Sequence, residues 1–436
     1  MIIHKSIIII ILYIVSNSIT YAQKVKQKQK GKASAPIQET IYNNHIYLSS
    51  IRTITNRIDD NEQSIPIYTL GATNNITFSF DDLRADRRSI YYKIIHCNKD
   101  WKPSQLASMD YVIGINEALI NDVYISQNTL IPYSHYAFTF PSENITPKIG
   151  GNYLLKVYEN ADERRLLFTK KIFVVNPKST VKITNIPTTD IKLKHTHQKL
   201  DIEVTTLFQI DPMNSNFQLS TLQNNIPLTE KSFKAPSRVD RNTLYFYDIN
   251  TFSFEGGNEF RTLDLRTFQS SSSQVKSIQK DSIYKINLIS DEDISDKKYE
   301  MIPDNNGRFY IRSNTNHHSD YQNDYANITF EFIAPKEING KIYLIGGFNS
   351  FILDESSQLF YNDEKSVWQN TQILKEGIYN YQYIFVQNNV LELNKFSGNH
   401  YQTENEYHTL VYYRKPGTYW DEIIGYSEIK VNSNHK

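Results

Sequence analysis

Apolar side chains recur at every second position along much of this chain. In "NITFSF", Ile76, Phe78 and Phe80 point one way, while Thr77 and Ser79 point the other. A period of two belongs to a strand with one buried face, because successive side chains of a strand leave on opposite sides. "SIYYKIIHC" and "GNYLLKVYE" continue the pattern, and "LLFTKKIFVV" is a longer apolar strand. Further on, "LDIEVTTLF" sets Leu200, Ile202 and Val204 against Asp201 and Glu203. "GIYNYQYIFV" places Tyr379, Tyr381, Tyr383 and Phe385 on one side. Polar or Gly/Pro/Asn/Asp segments separate these runs, and none sustains a 3.6-residue period long enough for a substantial helix. The pattern predicts an all-β chain of antiparallel sandwiches.

Composition agrees. The chain has 31 tyrosines against 15 glycines and 14 prolines, and aromatic residues suit a pleated, half-buried surface. A formal net charge of zero argues against a dedicated nucleic-acid binder, which carries a basic excess. One cysteine, Cys97, makes no internal disulfide and no Cys-rich zinc site.

The first residues read as a leader. "MIIHK" is a basic start, "SIIIIILYIV" is an apolar run, and Thr20 and Ala22 are small residues at the −3 and −1 places of a cleavage site. Residues 1–22 are expected to be a signal peptide cut after Ala22, with no cysteine after the apolar run for a lipid anchor. Residues 23–38 carry Lys24, Lys26, Lys28, Lys30 and Lys32. They read as a flexible basic arm or as a segment attracted to anionic headgroups. The remainder divides into an N-terminal sandwich at 39–178, a middle β domain with a polar linker at 179–325, and a C-terminal sandwich at 326–436. No later apolar run approaches the ~18 residues of a membrane span.

Candidate chemistry is sparse. Cys97 neighbours His96, but adjacent strand residues face opposite ways, so His96 is badly placed to activate it and Cys97 reads as a small buried side chain. His195 and His197 would share a strand face, and His317 and His318 are adjacent, yet neither pair has an evident third ligand. "FDDLRADRR" mixes both charges after a strand and reads as a solvated hairpin end. No G-x-S-x-G elbow, P-loop or G-x-G-x-x-G is present. The reading is a non-enzyme with no cofactor, metal or small-molecule substrate. Trp101, Trp368 and Trp420 are either core packing or platforms for a sugar or a protein.

Several motifs together are more specific. They are "FDDL" at Phe80–Leu83, "HCNKDW" at His96–Trp101, "YSHY" at Tyr133–Tyr136 and "GNYLLKVY" at Gly151–Tyr158. In order and spacing they resemble the first domain of the plug proteins of the type IX secretion system, a family formerly known only as a domain of unknown function. The signature falls on Phe80, Asp81 and Asp82; on His96, Cys97, Asn98, Asp100 and Trp101; on Tyr133, His135 and Tyr136; and on Gly151, Asn152 and Tyr153. Asn98 stands where the family often has Asp. The end of the chain, "LKEGIYNYQYIF" and "GNHYQTENEYHTLVYYRKPGTYWDEIIGY", also resembles the family, so the likeness is near full length.

A looser likeness lies in "KIYLIGGFNSF", which is similar to early-set, immunoglobulin-like domains of the glycogen-binding type, with Phe351 where those carry a tryptophan. The expected fold is thus tandem immunoglobulin-like/early-set β-sandwiches. The plug likeness implies a periplasmic subunit that seals the outer-membrane translocon barrel of the secretion system by steric occlusion, held at the membrane only through that partner. The alternative is a carbohydrate-binding β-sandwich protein of the cell envelope. The signature residues read as architecture: Tyr92, Ile94 and His96 on a packed face; Asn98, Asp100 and Pro103 shaping a turn; Lys99 and Lys102 in solvent.

Overall fold

In the strand Ile76–Asp82, Phe78 and Phe80 turn into a closed core and Thr77 and Ser79 stay half-buried. It pairs with Ile51–Ile58 on one side and Ser134–Phe140 on the other, both antiparallel. The computed structural model describes residues 39–433, apart from 60, 212–215, 271 and 316–317. The leader and basic arm expected at 1–38 lie outside the described residues.

This five-stranded sheet packs on the strands Ile90–Cys97, Gly151–Glu159 and Leu166–Val175, with Tyr92, Tyr153, Phe168, Tyr136 and Phe138 in the shared core. Phe80 stacks on Tyr136 with ring centres 5.2 Å apart. Gly151–Glu159 departs from simple alternation, because every residue in it is buried. Its polar members are accommodated by partners: Lys156 pairs with Glu163 at 2.8 Å, and Glu159 takes Arg84, Arg88 and Arg165.

The same three strands belong to a ten-stranded sheet. Its other half is built from Lys231–Phe233, Asn216–Gln223, Asn405–Arg414 and Glu422–Val431. The two halves meet in one parallel residue pair, Val175 with Ile423, reinforced by the Asn176 N–H donating to the Ile423 carbonyl at 2.8 Å. Ile65, Ile67, Phe173, Leu222, Leu410 and Tyr412 close over this seam.

A second core lies between that half and the sheet of Ser179–Ile186, His197–Thr206 and Thr243–Phe246, where Leu200, Ile202 and Val204 point inward as their alternation requires. A third lies between the sheet containing Tyr325–Ile333 and Val367–Lys375 and the long strand Gly377–Gln387. Tyr379, Tyr381, Tyr383 and Phe385 all enter it. Arg261–Asp264 and Phe309–Ile311 also pair with Gly377–Gln387, so the polar stretch before residue 327 contributes a core strand. Among the described residues the α-helices are single turns, Ser108–Tyr111 and Ser319–Gln322. The chain is all-β, in packed sandwiches that share sheets, and Ile41–Lys436 forms one compact unit.

Ile423 is fully buried at the seam. Ile423→Ala should cost about 2–5 kcal/mol through lost burial and a residual cavity, read as a lowered urea midpoint.

Candidate functional site

A polar constellation is buried between the first and third sandwiches. Asp81 and Lys375 are 0 % and 1 % exposed and pair at 2.6 Å. The Lys375 ammonium also donates to the Asp320 carbonyl at 2.5 Å and sits 4.2 Å from the Tyr133 ring centre. Tyr325 donates its hydroxyl to the same carboxylate oxygen at 2.6 Å, and His135 Nδ1 lies 2.6 Å from the other. Tyr133 donates to the Asn323 carbonyl at 2.8 Å, and Asp324 accepts the Leu130 and Ile131 N–H groups. Four strands and one helical turn are thus tied by charge-assisted hydrogen bonds at a buried carboxylate and ammonium.

Burial opposes ionisation of Asp81, but Lys375 and His135 outweigh it and hold the carboxyl below its usual range. Burial also lowers the Lys375 ammonium, and Asp81 pulls it back. We take the pair as ionised, because Nζ donates to two oxygens and rests against an aromatic face. Beside it, burial pushes Glu376 up to about 7.

The acid-rich segment is therefore not a wet hairpin end. Asp81 and Asp82 are both fully buried, since they continue the strand and lie opposite His135 and Ser134. Asp82 takes Arg84 in a forked contact at 2.6–2.9 Å. Arg88 bridges Asp86 and Glu159. Only the outer part of this segment reaches solvent, Arg87 being exposed.

The "HCNKDW" turn makes a second junction. Its Asn98 N–H bonds the Lys102 carbonyl and its Trp101 N–H bonds the Asn98 carbonyl, each at 2.9 Å. Asp100 accepts the Lys102 N–H at 3.3 Å. Asn98 Oδ1 accepts the Asp421 N–H, and Asp421 in turn accepts the Lys99 N–H, both at 3.1 Å. Arg414 clamps Asp421 with two bonds of 2.9 Å. Asn152 donates to the Asn98 carbonyl and accepts the Tyr412 hydroxyl. Lys102 is exposed as expected, whereas Lys99 is half-buried because its backbone is tied to Asp421. Trp101 packs edge-on to Phe173 with Lys171 over its face.

His96 lies on the packed face, its Nδ1 2.8 Å from the Ser104 hydroxyl, and burial pushes it down to about 4. Gly151 has φ +148°, and a Cβ there would lie 2.3 Å from His96 Nε2. This position needs glycine for both conformation and space. Cys97 is buried, its thiol pushed up to about 12 by desolvation, and so is far from a thiolate nucleophile.

The other candidates lie apart. His195 faces the Tyr401 ring, while His197 sits 2.9 Å from the Thr196 hydroxyl. His318 stacks on Tyr321, and His317 lies outside the described residues. Trp368 packs on the third core and donates to the Pro335 carbonyl at 3.2 Å. Trp420 sits in the loop before Glu422–Val431, edge-on to Tyr419. Trp368 is thus a strand residue of Val367–Lys375, whereas Trp420 lies in no strand. Phe351 is turned inward against Gly307. The sequence reading missed Glu406, His408 and Glu428, whose ligand-type atoms lie within 4.8 Å of one another. Arg308 already pairs with Glu406 at 2.6 Å, and Tyr426 bonds Glu428 at 2.7 Å. It also missed Lys375, which no local pattern links to Asp81.

Two measurements test the first junction. Lys375→Met strands a buried carboxylate and should cost about 3–5 kcal/mol; adding Asp81→Asn should cost less than the sum of the single changes, read by urea unfolding. Glu376 holds its proton more tightly folded than unfolded. Its contribution is therefore fully present below about pH 4.5 and is lost as pH rises towards 7. Glu376→Gln should gain stability relative to the wild type between pH 4 and pH 8, read from unfolding curves at each pH.

Comparison with known proteins bears on these junctions. The family model described as type 9 secretion system plug protein 1st domain matches residues 51–176. A crystal structure of a hypothetical protein from Parabacteroides merdae ATCC 43184 is similar over 90% of this chain and 100% of that chain, with a TM-score of 0.86 and 28% identity. No protein of curated function matches. Residues 51–176 hold the Asp81, His96, His135 and Gly151 motifs described above, and over this segment the chain is similar to the first domain of type 9 secretion system plug proteins.

Proposed function

We propose that this protein is a periplasmic plug subunit that seals the periplasmic opening of the outer-membrane translocon barrel of the type IX secretion system. The observation that carries the reading is the plug first-domain match over 51–176, set in a chain whose sandwiches are locked to one another through that same domain. An aqueous pore wide enough for protein cargo is closed by bulk. A body that must block it without deforming needs its sandwiches coupled, and the Asp81–Lys375 and Asn98–Asp421 contacts supply that coupling.

The mechanism is steric, through a reversible protein interface, with no bond made or broken in a substrate. The signature residues act as architecture: their side chains are spent on contacts within the chain. The segment 109–125 leaves Met109, Ile113, Ile115, Tyr124 and Ile125 exposed, which supports a protein-contacting surface on the first domain. The signal peptide ending at Ala22 and the first-domain limit at 178 are part of this proposal, whereas the limit expected at 325 gives way to a third sandwich that already includes Arg261–Asp264 and Phe309–Ile311. Trp368 and Phe351 pack against cores instead of forming an open platform, which supports the plug reading over a carbohydrate-binding one.

Affinity purification of the tagged mature protein from solubilised envelopes should recover a very large outer-membrane barrel protein. Repeated recovery of the bait without such a partner would contradict the plug role.

A further inference from the structure

The strand Leu166–Val175 has two short partners on one edge. His45–Ile46 covers residues 168–169, and Ile67–Thr69 covers 173–175. Between them the edge is open at Lys170 and Lys171, where the Lys171 N–H is capped only by the Asn44 side chain at 2.8 Å. A cavity of about 70 Å³ opens at this gap, and Trp101, Lys170, Lys171, Glu230, Arg308 and Tyr412 are among its lining residues. A water needs roughly 10–15 Å³ of such space, so the cavity takes a few waters or one small polyatomic ion.

The charges around it are unbalanced. The Lys170 side chain has no hydrogen-bond or ion-pair partner among the described residues; it is half-buried, and desolvation pushes its amine down to about 8. Lys171 rests its ammonium 4.5 Å from the Trp101 ring centre rather than on a carboxylate. Arg308 pairs with Glu406 through one terminal nitrogen, but its Nε is buried without a partner. The one carboxylate in the lining, Glu230, accepts the Ser220 hydroxyl and partly offsets the desolvation of Lys171, leaving Lys170 without a countercharge. A cation taken out of water without a partner is unfavourable. Lys170, Lys171 and Arg308 all line this space beside a single carboxylate, and such a lining matches the charge and donor pattern of an oxyanion.

We propose that this cavity binds a small oxyanion of the phosphate or carboxylate type, held by Lys170, Lys171 and Arg308. The inference goes beyond the plug reading and does not depend on it. It places a ligand where the first domain, the strand Asn216–Gln223 and the C-terminal hairpin meet, since Phe173, Leu222 and Leu410 line the same space.

The test is thermal unfolding of the full mature chain at constant ionic strength, with chloride replaced stepwise by inorganic phosphate, acetate or glycerol phosphate. The expected result is a saturable rise in Tm with at least one of these ions. Isothermal titration should give an affinity at least tenfold weaker in Lys170→Met, and a smaller loss in Lys171→Met, which leaves Lys170 in place. A rise with inorganic phosphate or acetate but not glycerol phosphate identifies a free ion; a rise with glycerol phosphate as well identifies the end group of a larger ligand. No saturable rise with any of the three ions, or the same affinity in both lysine variants, would overturn the site.

Discussion

Burying one carboxylate against one ammonium is the constraint on which the arrangement of the sandwiches depends. Asp81 and Lys375 stand 294 residues apart in sequence and are both removed from solvent. Either charge alone at this depth would be strongly unfavourable, so the two sheets that carry them must dock together. Buried ion pairs add little net stability compared with apolar packing. Their effect here is on geometry, because Tyr325, His135 and the Asp320 carbonyl are satisfied only when the first and third sandwiches meet in one register.

The second junction does the same for the C-terminal hairpin. Asn98 accepts the Asp421 N–H, Asp421 accepts the Lys99 N–H, Arg414 holds Asp421, and Asn152 joins the turn to Tyr412. Together with the Val175–Ile423 seam, these contacts make strands from the beginning and end of the chain one sheet. Sandwiches so connected are coupled through a shared sheet and buried hydrogen bonds rather than through a linker alone.

Much of this was legible in the sequence. The alternations at Ile76–Phe80, Leu200–Val204 and Tyr379–Phe385 all point into cores as read, because period two follows from strand geometry alone. The glycine of "GNYLLKVY" had a conformational reason, and Cys97 was rightly placed inside. What failed was long-range. Asp81 and Asp82 looked wet because an acidic run after a strand usually is; the fact that reverses this, His135 and Lys375 alongside, depends on pairing between distant segments. "FDDL" and "YSHY" were both visible, but their opposition across two strands was not. Asn405–Arg414 gave no sign that its neighbour is Asn216–Gln223, since alternation specifies a buried face and not the strand beside it.

Through its buried junctions the described chain should open as one coupled body. Native-state hydrogen exchange tests it most directly. The amides of Ile76–Asp82, Val367–Lys375 and Glu422–Val431 should open together, with one common free energy and one denaturant dependence. If the strands around Lys375 exchange by a separate, lower-energy opening while Ile76–Asp82 stays protected, the sandwiches are independent and the account is wrong.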